Sequence, residues 1–348
     1  MQRLIIFFLL TSLLLGTSLV LLSKHWFPIW LGLELSTLSL IPLLNTNSQS
    51  RSTEATLKYF LVQAFSAALL LNGAVLNLWA SNSWSLPEIS SPLCYYTIST
   101  ALIIKLGLAP CHFWFPDVLS GITFPNVVII ACWQKIAPMF LLLSLSSRIP
   151  SEAFILCSIL SVLVGGWGGL NQISTRKILA YSSISHLGWI TCVSFFLPET
   201  SIPLFLFYLL NNTAILLICN NSSLFSLSSL NKANIVPTNI VLFSIALLSL
   251  GGLPPLGGFI NKIIPLVVFS FNSSNIIIPT FLAGSLLNLF FYLRIVYNTS
   301  LTLFPQNSII LLPLRSNGFL AMPSLLTSTL FPFCLFGLLL LPLFFLFI

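Results

Sequence analysis

This chain of 348 residues is 57% hydrophobic and only 5% charged, with a formal net charge of +7 and a mean hydropathy of +1.04. Soluble domains carry about 25% charged residues, so the composition excludes a water-facing globular protein and indicates an integral membrane protein. The 13 basic residues are too sparse to form a phosphate-binding patch, which argues against a nucleic-acid partner.

Long apolar runs along the chain predict an all-α membrane protein, because a helix of about 20 apolar residues spans a bilayer. The first run resembles a signal peptide, but it is long enough to span and no small-residue cleavage site follows it, so we predict a retained helix. No loop is long enough for a soluble domain, and residues 1–348 are expected to form one polytopic domain. Eleven runs qualify, at about 4–22, 26–44, 57–79, 93–119, 124–145, 152–170, 174–196, 201–220, 237–269, 275–298 and 320–347.

The basic residues between these runs predict the orientation. If successive spans alternate in direction, Lys24 and Arg148 fall on the side opposite the N-terminus. Eight others fall on the N-terminal side, namely Arg3, Arg51, Lys58, Arg176, Lys177, Lys232, Arg294 and Arg315. The positive-inside rule therefore places the N-terminus in the inner compartment (cytoplasm or matrix) and the C-terminus in the outer one. Arg294, at the end of the tenth span, is expected to extend toward the lipid headgroups.

Four charged residues remain inside predicted spans: Glu34, Lys105, Lys135 and Lys262. Each charge at the bilayer centre costs roughly 2.5–3.5 kcal/mol on insertion scales, so the default interpretation is an ion pathway. A structural ion pair between Glu34 and one lysine is the alternative, but it leaves two lysines unmatched. A buried lysine far from an acid releases its proton more readily than one beside an acid, which suits a proton relay.

Two of the spans are interrupted next to a lysine. The stretch ALIIKLGLAPCHFWFPDV breaks the fourth span after Lys105, and SLGGLPPLGGF breaks the ninth span before Lys262. Interrupted helices are tolerated in a membrane only where protein or a hydrated cavity surrounds them. Proline kinks that serve only helix packing are the alternative interpretation.

The two interruptions fall at equivalent places in the chain. Each is the fourth helix of a five-helix half, and an odd number of spans per half makes the halves inverted. We therefore predict inverted repeats at about 4–145 and 152–298, followed by a C-terminal helix at about 320–347. Paired interrupted helices in inverted repeats are typical of the transport sites of secondary transporters.

Histidines and cysteines add weaker candidates. His186 lies near mid-span and either passes a proton between Lys135 and Lys262 or is a neutral histidine bonded to a nearby hydroxyl. His112 lies in the first interruption and either holds water there or bonds to freed carbonyls. None of the seven cysteines shares a CxxC spacing with another, so we expect no metal, iron–sulfur or haem site.

Six motifs resemble one known family. In chain order they are WLGLELSTLSLIPLL, KLGLAPCHFWFPDV, WQKIAP, RKILAYSSISHLGW, LGGLPPLGGFINK and SLLNLFFYLRIVY. They are similar to the mitochondrially encoded NADH dehydrogenase subunit 2 family of animals, which are antiporter-like membrane subunits of respiratory complex I. The resemblance implies eleven helices in the mitochondrial inner membrane with a matrix-side N-terminus. It places the family's glutamate–lysine pair, central lysine and further ionisable residue on Glu34, Lys105, Lys135 and Lys262.

The resemblance also implies a function. The chain is expected to be a proton-translocating core subunit of NADH:ubiquinone oxidoreductase, in contact with membrane lipids and the other membrane-arm subunits of a hetero-oligomer. No redox chemistry is expected in this chain, because NADH, FMN, the iron–sulfur clusters and ubiquinone belong to other subunits. A free-standing cation/proton antiporter and a membrane scaffold with vestigial charges are the alternatives.

Overall fold

The computed structural model describes residues 2–302, except 46–48, 87–90, 149–150, 222–236, 273 and 275. Regular structure in these residues is helical, and the one extended pairing among them is an isolated bridge between His25 and Ser85. The helix predicted at about 320–347 lies outside the described residues, as do Lys232 and Arg315 of the orientation count.

Helices follow one another through the described part of the chain. Eight helical stretches there are long and apolar enough to cross a membrane, which confirms the prediction of a multi-pass all-α membrane protein. The count of eleven spans stays a prediction, because residues 303–348 are not described. The helices are α1 (Gln2–Leu22), α2 (Trp26–Leu44), α3 (Ser50–Ser81), α4 (Pro92–Leu106), α5 (Trp114–Gly121), α6 (Phe124–Ala131), α7 (Ile136–Leu145), α8 (Ser151–Gly169), α9 (Thr175–Phe196), α10 (Pro198–Asn221), α11 (Pro237–Gly251), α12 (Ile260–Phe271) and α13 (Ile277–Thr302).

The chain divides into two compact units, residues 1–161 and 162–348, with the boundary inside α8. In the first unit α1 packs along α2, while α3 packs on α2, α4 and α5. In the second unit α9 packs against α10, α12 and α13, and α11 packs against α10 and α13. The inverted repeats at about 4–145 and 152–298 stay a prediction.

Many small polar side chains that are buried in these helices donate a hydrogen bond to the backbone of their own helix. The hydroxyls of Ser36, Ser161 and Ser185 each donate to the carbonyl three residues earlier, at 2.7–2.8 Å. Large apolar side chains such as Leu22 and Trp79 are exposed instead. This distribution is expected for a chain in lipid, because lipid solvates apolar side chains and offers no hydrogen-bond partners, so polar groups must bond within the protein.

The first predicted interruption is present between α4 and α5. Helix α4 ends at Leu106, and Gly107 follows with a left-handed φ of 71° that L residues rarely adopt. The N–H of Leu108 then bonds to the carbonyl of Ile103 at 3.1 Å, the 6→1 bond of a Schellman cap. The peptide bond between Ala109 and Pro110 is cis.

The second predicted interruption, between α11 and α12, repeats this backbone pattern. Gly252 has a φ of 70°, and the N–H of Leu253 bonds to the carbonyl of Leu248 at 3.4 Å. The peptide bond between Pro254 and Pro255 is cis, and a 3-10 turn over Gly257–Phe259 leads into α12. In both interruptions a glycine with a positive φ caps the helix, and a proline after a cis peptide bond follows three residues later.

A third interruption was not expected from the sequence. Residues 124–145 were predicted as one span, but α6 ends at Ala131 and a 3-10 turn over Trp133–Lys135 separates it from α7. The cause is Pro138, which has no N–H for the carbonyl of Gln134 and whose ring displaces that carbonyl. The predicted span 124–145 is confirmed, but the sequence did not predict the break within it, at which Lys135 lies.

Candidate functional site

The first unit contains a small cavity that two of the predicted lysines share. The side chains of Lys105 at the end of α4 and Lys135 at the break before α7 both line it. The volume open to a water centre is about 10 Å³, which is room for about one water molecule. We call it the lysine cavity; its other polar lining residues are Thr37, Tyr59, Gln63 and Gln134.

Lys105 is the least satisfied of the charged residues at this site. Its side chain is 5% exposed, and its Nζ has no hydrogen-bond partner in the structure. An ammonium group without hydrogen bonds in an apolar interior is expensive. The neighbouring cavity is therefore the place where water would complete its hydration.

Glu34 lies close to Lys105 without pairing with it. Its carboxylate is near enough to act electrostatically on Lys105 and on the hydroxyl of Tyr59. Its own hydrogen bond comes from the hydroxyl of Thr37, one turn along α2, at 3.4 Å from Oε2. Ion pairs within 4 Å join Lys58 to Glu54 and to Asp117, and neither of them involves Glu34 or Lys105.

The geometry does not favour the alternative in which Glu34 is structural glue for a lysine. A structural ion pair needs direct contact and satisfied donors to offset desolvation. Glu34 and Lys105 have neither, because the carboxylate lies beyond 4 Å and the ammonium is unbonded. The two groups instead interact electrostatically without direct contact.

Lys135 is held by the break in its own span. Its side chain is 3% exposed, and Nζ lies 4.2 Å from the centroid of the Phe115 ring, a cation–π contact. The adjacent Gln134 donates from Nε2 to the carbonyl of Ser36 on α2 at 3.1 Å. The turn is thus anchored to α2, and Lys135 faces the space that Lys105 also faces.

Lys262 lies at the corresponding break of the second unit. It follows the 3-10 turn on α12, and its Nζ donates to the carbonyl of Gly251, the last residue of α11. Gly252 lies against the lysine stem, since a Cβ added there would lie 2.6 Å from Cδ and 2.8 Å from Cε of Lys262. The lysine therefore supplies a donor to a carbonyl that the helix end leaves without an intrahelical partner.

His186 is buried in the second unit among hydroxyl groups. Its Nε2 lies 3.5 Å from the hydroxyl of Tyr292 on α13, and its ring lies 5.8 Å from the ring of Tyr208 on α10. Next to it, the hydroxyl of Ser185 accepts from Nδ2 of Asn288 at 2.7 Å. Hydroxyl bonding and proton transfer are both compatible with this geometry, so its role as a relay stays a prediction.

His112 has a more local environment. Its Nδ1 lies 3.2 Å from the carbonyl of Pro110, and its ring packs on Phe113 with centroids 4.2 Å apart. It is not among the residues that line the lysine cavity. Bonding to a carbonyl in the interruption is therefore the better-supported of its two predicted roles.

Comparison with known proteins identifies the family. Residues 23–288 match the family described as NADH:quinone oxidoreductase/Mrp antiporter, TM, and residues 289–345 match NADH dehydrogenase subunit 2 C-terminus. The NADH-ubiquinone oxidoreductase chain 2 of Paracentrotus lividus is 50% identical over 321 residues, covering 91% of this chain and 90% of the relative. The chain belongs to the NADH-ubiquinone oxidoreductase chain 2 family.

Other chain 2 relatives and solved structures agree with this assignment. The chain 2 protein of Bos taurus is 41% identical over 310 residues, covering 88% of this chain and 89% of the relative. A chain of respiratory complex I from Thermus thermophilus superposes with a TM-score of 0.79 at 27% identity, covering 97% of this chain and 79% of that one. A chain of the Mrp complex from Dietzia sp. DQ12-45-1b shares the fold, with a TM-score of 0.76 at 18% identity and coverages of 82% and 59%.

The sequence did not predict the hydrogen-bond acceptors of two side chains in this member of the chain 2 family, Trp114 and Arg294. The indole Nε1 of Trp114 donates to the carbonyl of Ile104 at 3.2 Å, across the first interruption. The guanidinium of Arg294 donates to the carbonyls of Leu170 and Gln172, both at 2.6 Å, and its extension toward the headgroups stays a prediction. The only available signal was that each donor type is costly in a membrane unless it has an acceptor.

Proposed function

We propose that this chain translocates protons across the mitochondrial inner membrane as an antiporter-like core subunit of NADH:ubiquinone oxidoreductase. The observation that carries the proposal is the lysine cavity. Lys105 and Lys135 border one small cavity with room for about one water, and Glu34 acts electrostatically on Lys105. Titratable groups that border one water-sized cavity and are not fixed in an ion pair are suited to passing protons rather than to stabilising a fold.

Charge coupling between the lysines supplies the mechanism. Two like charges that face one small space disfavour each other, so a proton held by Lys105 opposes a proton on Lys135. A movement of charge near Glu34 would change how firmly Lys105 holds its proton, and this change would pass to Lys135. From Lys135 the proton would continue through His186 to Lys262 and then to the outer side.

The remaining parts of the proposal concern the surroundings of the chain. The N-terminus faces the matrix and the C-terminus faces the intermembrane space, as the distribution of basic residues predicts. Partners are the other membrane-arm subunits of the complex and membrane lipids. This chain carries no cofactor of its own, and NADH, FMN, iron–sulfur clusters and ubiquinone bind elsewhere in the complex. Quinone chemistry in other subunits provides the driving force.

A subunit of the complex is favoured over a free-standing cation/proton antiporter. The chain 2 relatives named above match at 41–50% identity over 88–91% of this chain. The chain of the Mrp complex, at 18% identity, supports a shared fold only. A native gel of inner mitochondrial membranes separates the two functions, since a subunit of the complex migrates with the large band that oxidises NADH.

The proposed function is tested by Lys135→Met in the assembled complex. This change removes the charge and keeps an unbranched apolar chain in the same space. We expect fewer protons translocated per NADH oxidised, measured in sealed vesicles with a pH-sensitive dye, and an unchanged native-gel band. Lys58→Met is the matched control, because Lys58 is an exposed lysine of the same unit whose ion pairs lie outside the cavity. An assembled Lys135→Met complex with the normal proton ratio would refute the role.

A further inference from the structure

We propose that Tyr292 is a proton-relay residue that connects His186 to the broken helix holding Lys262. This inference rests on the proposed function, since a relay matters only if the chain moves protons. Four contacts within the second unit place the tyrosine between the two titratable groups. They are its hydroxyl contacts with His186 and with Ser182, the position of its ring beside Gly251, and the bond of Lys262 to that same glycine.

The first link joins Tyr292 to the histidine. Tyr292 is 1% exposed and His186 is 6% exposed, so both side chains are buried in the unit. The hydroxyl oxygen lies 3.5 Å from Nε2 of His186, at the outer limit of a hydrogen bond. The same hydroxyl also interacts with the side chain of Ser182, one turn earlier on α9. The tyrosine thus has a histidine nitrogen and a serine hydroxyl within reach of one oxygen atom.

The second link joins Tyr292 to the interruption of α11. A Cβ added to Gly251 would lie 3.6 Å from Cδ2 of Tyr292, so the tyrosine ring lies beside the end of that helix, one methyl group away from Gly251. The carbonyl of Gly251 is also the acceptor for Nζ of Lys262. The hydroxyl of Tyr292 therefore contacts His186, and its ring lies beside Gly251, the residue whose carbonyl binds Lys262.

The third observation concerns places for water on either side of the tyrosine. Asn288 lies one turn before Tyr292 on the same face of α13; its Nδ2 is bonded to Ser185, but its buried Oδ1 has no hydrogen-bond partner. Asn261, next to Lys262 on α12, also has a buried Oδ1 without a partner. Buried acceptors are normally satisfied by protein or by ordered water. Both oxygens are therefore candidates to hold water, one near the tyrosine and one near the lysine.

The chemical step conserves protons and leaves the tyrosine neutral. A phenol hydroxyl both donates and accepts a hydrogen bond. A proton leaves Nε2 of His186 and bonds to the oxygen of Tyr292, while the original hydroxyl proton passes to a water molecule. That water carries the proton toward the amine of Lys262. The histidine has lost one proton, the lysine has gained one, and Tyr292 is unchanged.

The test compares Tyr292→Phe with Tyr208→Phe in the assembled complex. Both changes remove one hydroxyl oxygen from a buried tyrosine beside His186, and the hydroxyl of Tyr208 accepts from Nδ2 of Asn212 at 3.3 Å. A positioned proton-transfer group contributes ~10²-fold or more, and water replaces part of it, so we expect Tyr292→Phe to slow proton translocation at least about tenfold. We also expect a larger solvent deuterium isotope effect for this variant, because proton transfer becomes the slow step. Tyr208→Phe should change neither quantity.

The outcomes separate this proposal from the proposed function. Lys135→Met is measured in the same vesicles. If Lys135→Met leaves translocation unchanged, the proposed function fails and the relay fails with it. If Lys135→Met lowers translocation but Tyr292→Phe does not, only the relay is overturned. Equal losses in Tyr292→Phe and Tyr208→Phe, without a change in isotope effect, would make the tyrosine a packing residue and also overturn the relay.

A second variant covers the case in which Tyr292→Phe does not assemble. Asn288→Leu keeps the tyrosine hydroxyl and removes the amide oxygen proposed to hold the relay water. We expect the same direction of change, a slower translocation with a larger isotope effect. A normal rate in assembled Asn288→Leu complex would overturn the relay.

Discussion

Replacing Gly252 by alanine is expected to disturb Lys262 more than it disturbs the fold. The new Cβ would lie 2.6 Å from Cδ, 2.8 Å from Cε and 3.1 Å from Nζ of Lys262. Contacts below about 3 Å are not tolerated, so the lysine side chain must move. Its movement breaks the bond to the carbonyl of Gly251. A hydrogen bond from a charged group contributes about 1.5–3 kcal/mol, so its loss removes up to that much stabilisation from the ammonium of Lys262.

The chain offers a matched control in Gly107→Ala. Gly107 has a φ of 71° and Gly252 a φ of 70°, so alanine has the same backbone strain at both positions, about 1–2 kcal/mol. At Gly107, however, the nearest atoms to an added Cβ are 3.5 Å away, an ordinary contact. The two variants should therefore lose similar stability, and only Gly252→Ala should displace a lysine.

The assay measures stability and translocation in parallel. Stability is the temperature at which half of the purified complex loses its native-gel band, and translocation is the number of protons moved per NADH oxidised in sealed vesicles. We expect similar temperature shifts for the two variants and a lower proton ratio for Gly252→Ala alone. If Gly252→Ala has the proton ratio of Gly107→Ala, the bond between Lys262 and the helix end does not matter for function and this reasoning is wrong.

Two further predictions concern the first unit. Trp114→Phe removes the indole donor to the carbonyl of Ile104, which keeps its bond from the N–H of Gly107, and should destabilise the complex by about 0.5–1.5 kcal/mol. Trp133→Phe should have a much smaller effect in the same melting assay, because the buried Nε1 of Trp133 has no partner to lose. Asp117→Asn should lower the melting temperature only slightly, since its ion pair with Lys58 is exposed and such pairs contribute about 0–1 kcal/mol. A large loss from this change would show that the pair is more important than its exposure indicates.

The sequence predicted the helices well because a membrane allows few alternatives. A run of about 20 apolar residues can satisfy its backbone only as a helix, and the predicted spans 26–44 and 124–145 begin and end at the helix bounds of the structure. The start of α3 was misplaced by seven residues, at 57 instead of Ser50. Its first turns, SRSTEAT, are polar and were therefore excluded from an apolar run, although nothing in them prevents a helix.

The site was predicted in its residue types but not in its contacts. Intramembrane charge identified Lys105 and Lys135, and the structure places both on one cavity. Hydropathy could not show that Glu34 lies beyond 4 Å of a lysine, because that distance depends on the packing of α2 against its neighbours. Tyr292 was missed for another reason: tyrosine is common in apolar helices, and only its distance from His186 distinguishes it.

The two interruptions share a backbone but differ in what satisfies the broken helix end, and this difference has a functional consequence. In the first, a carbonyl of α4 accepts from the indole of Trp114, a donor that never changes its protonation. In the second, the last carbonyl of α11 accepts from the ammonium of Lys262, which becomes a weaker donor when it loses its proton. Proton release therefore weakens the second helix end and leaves the first intact. Of the two interruptions, the one held by Lys262 is the one whose stability depends on whether a proton is bound.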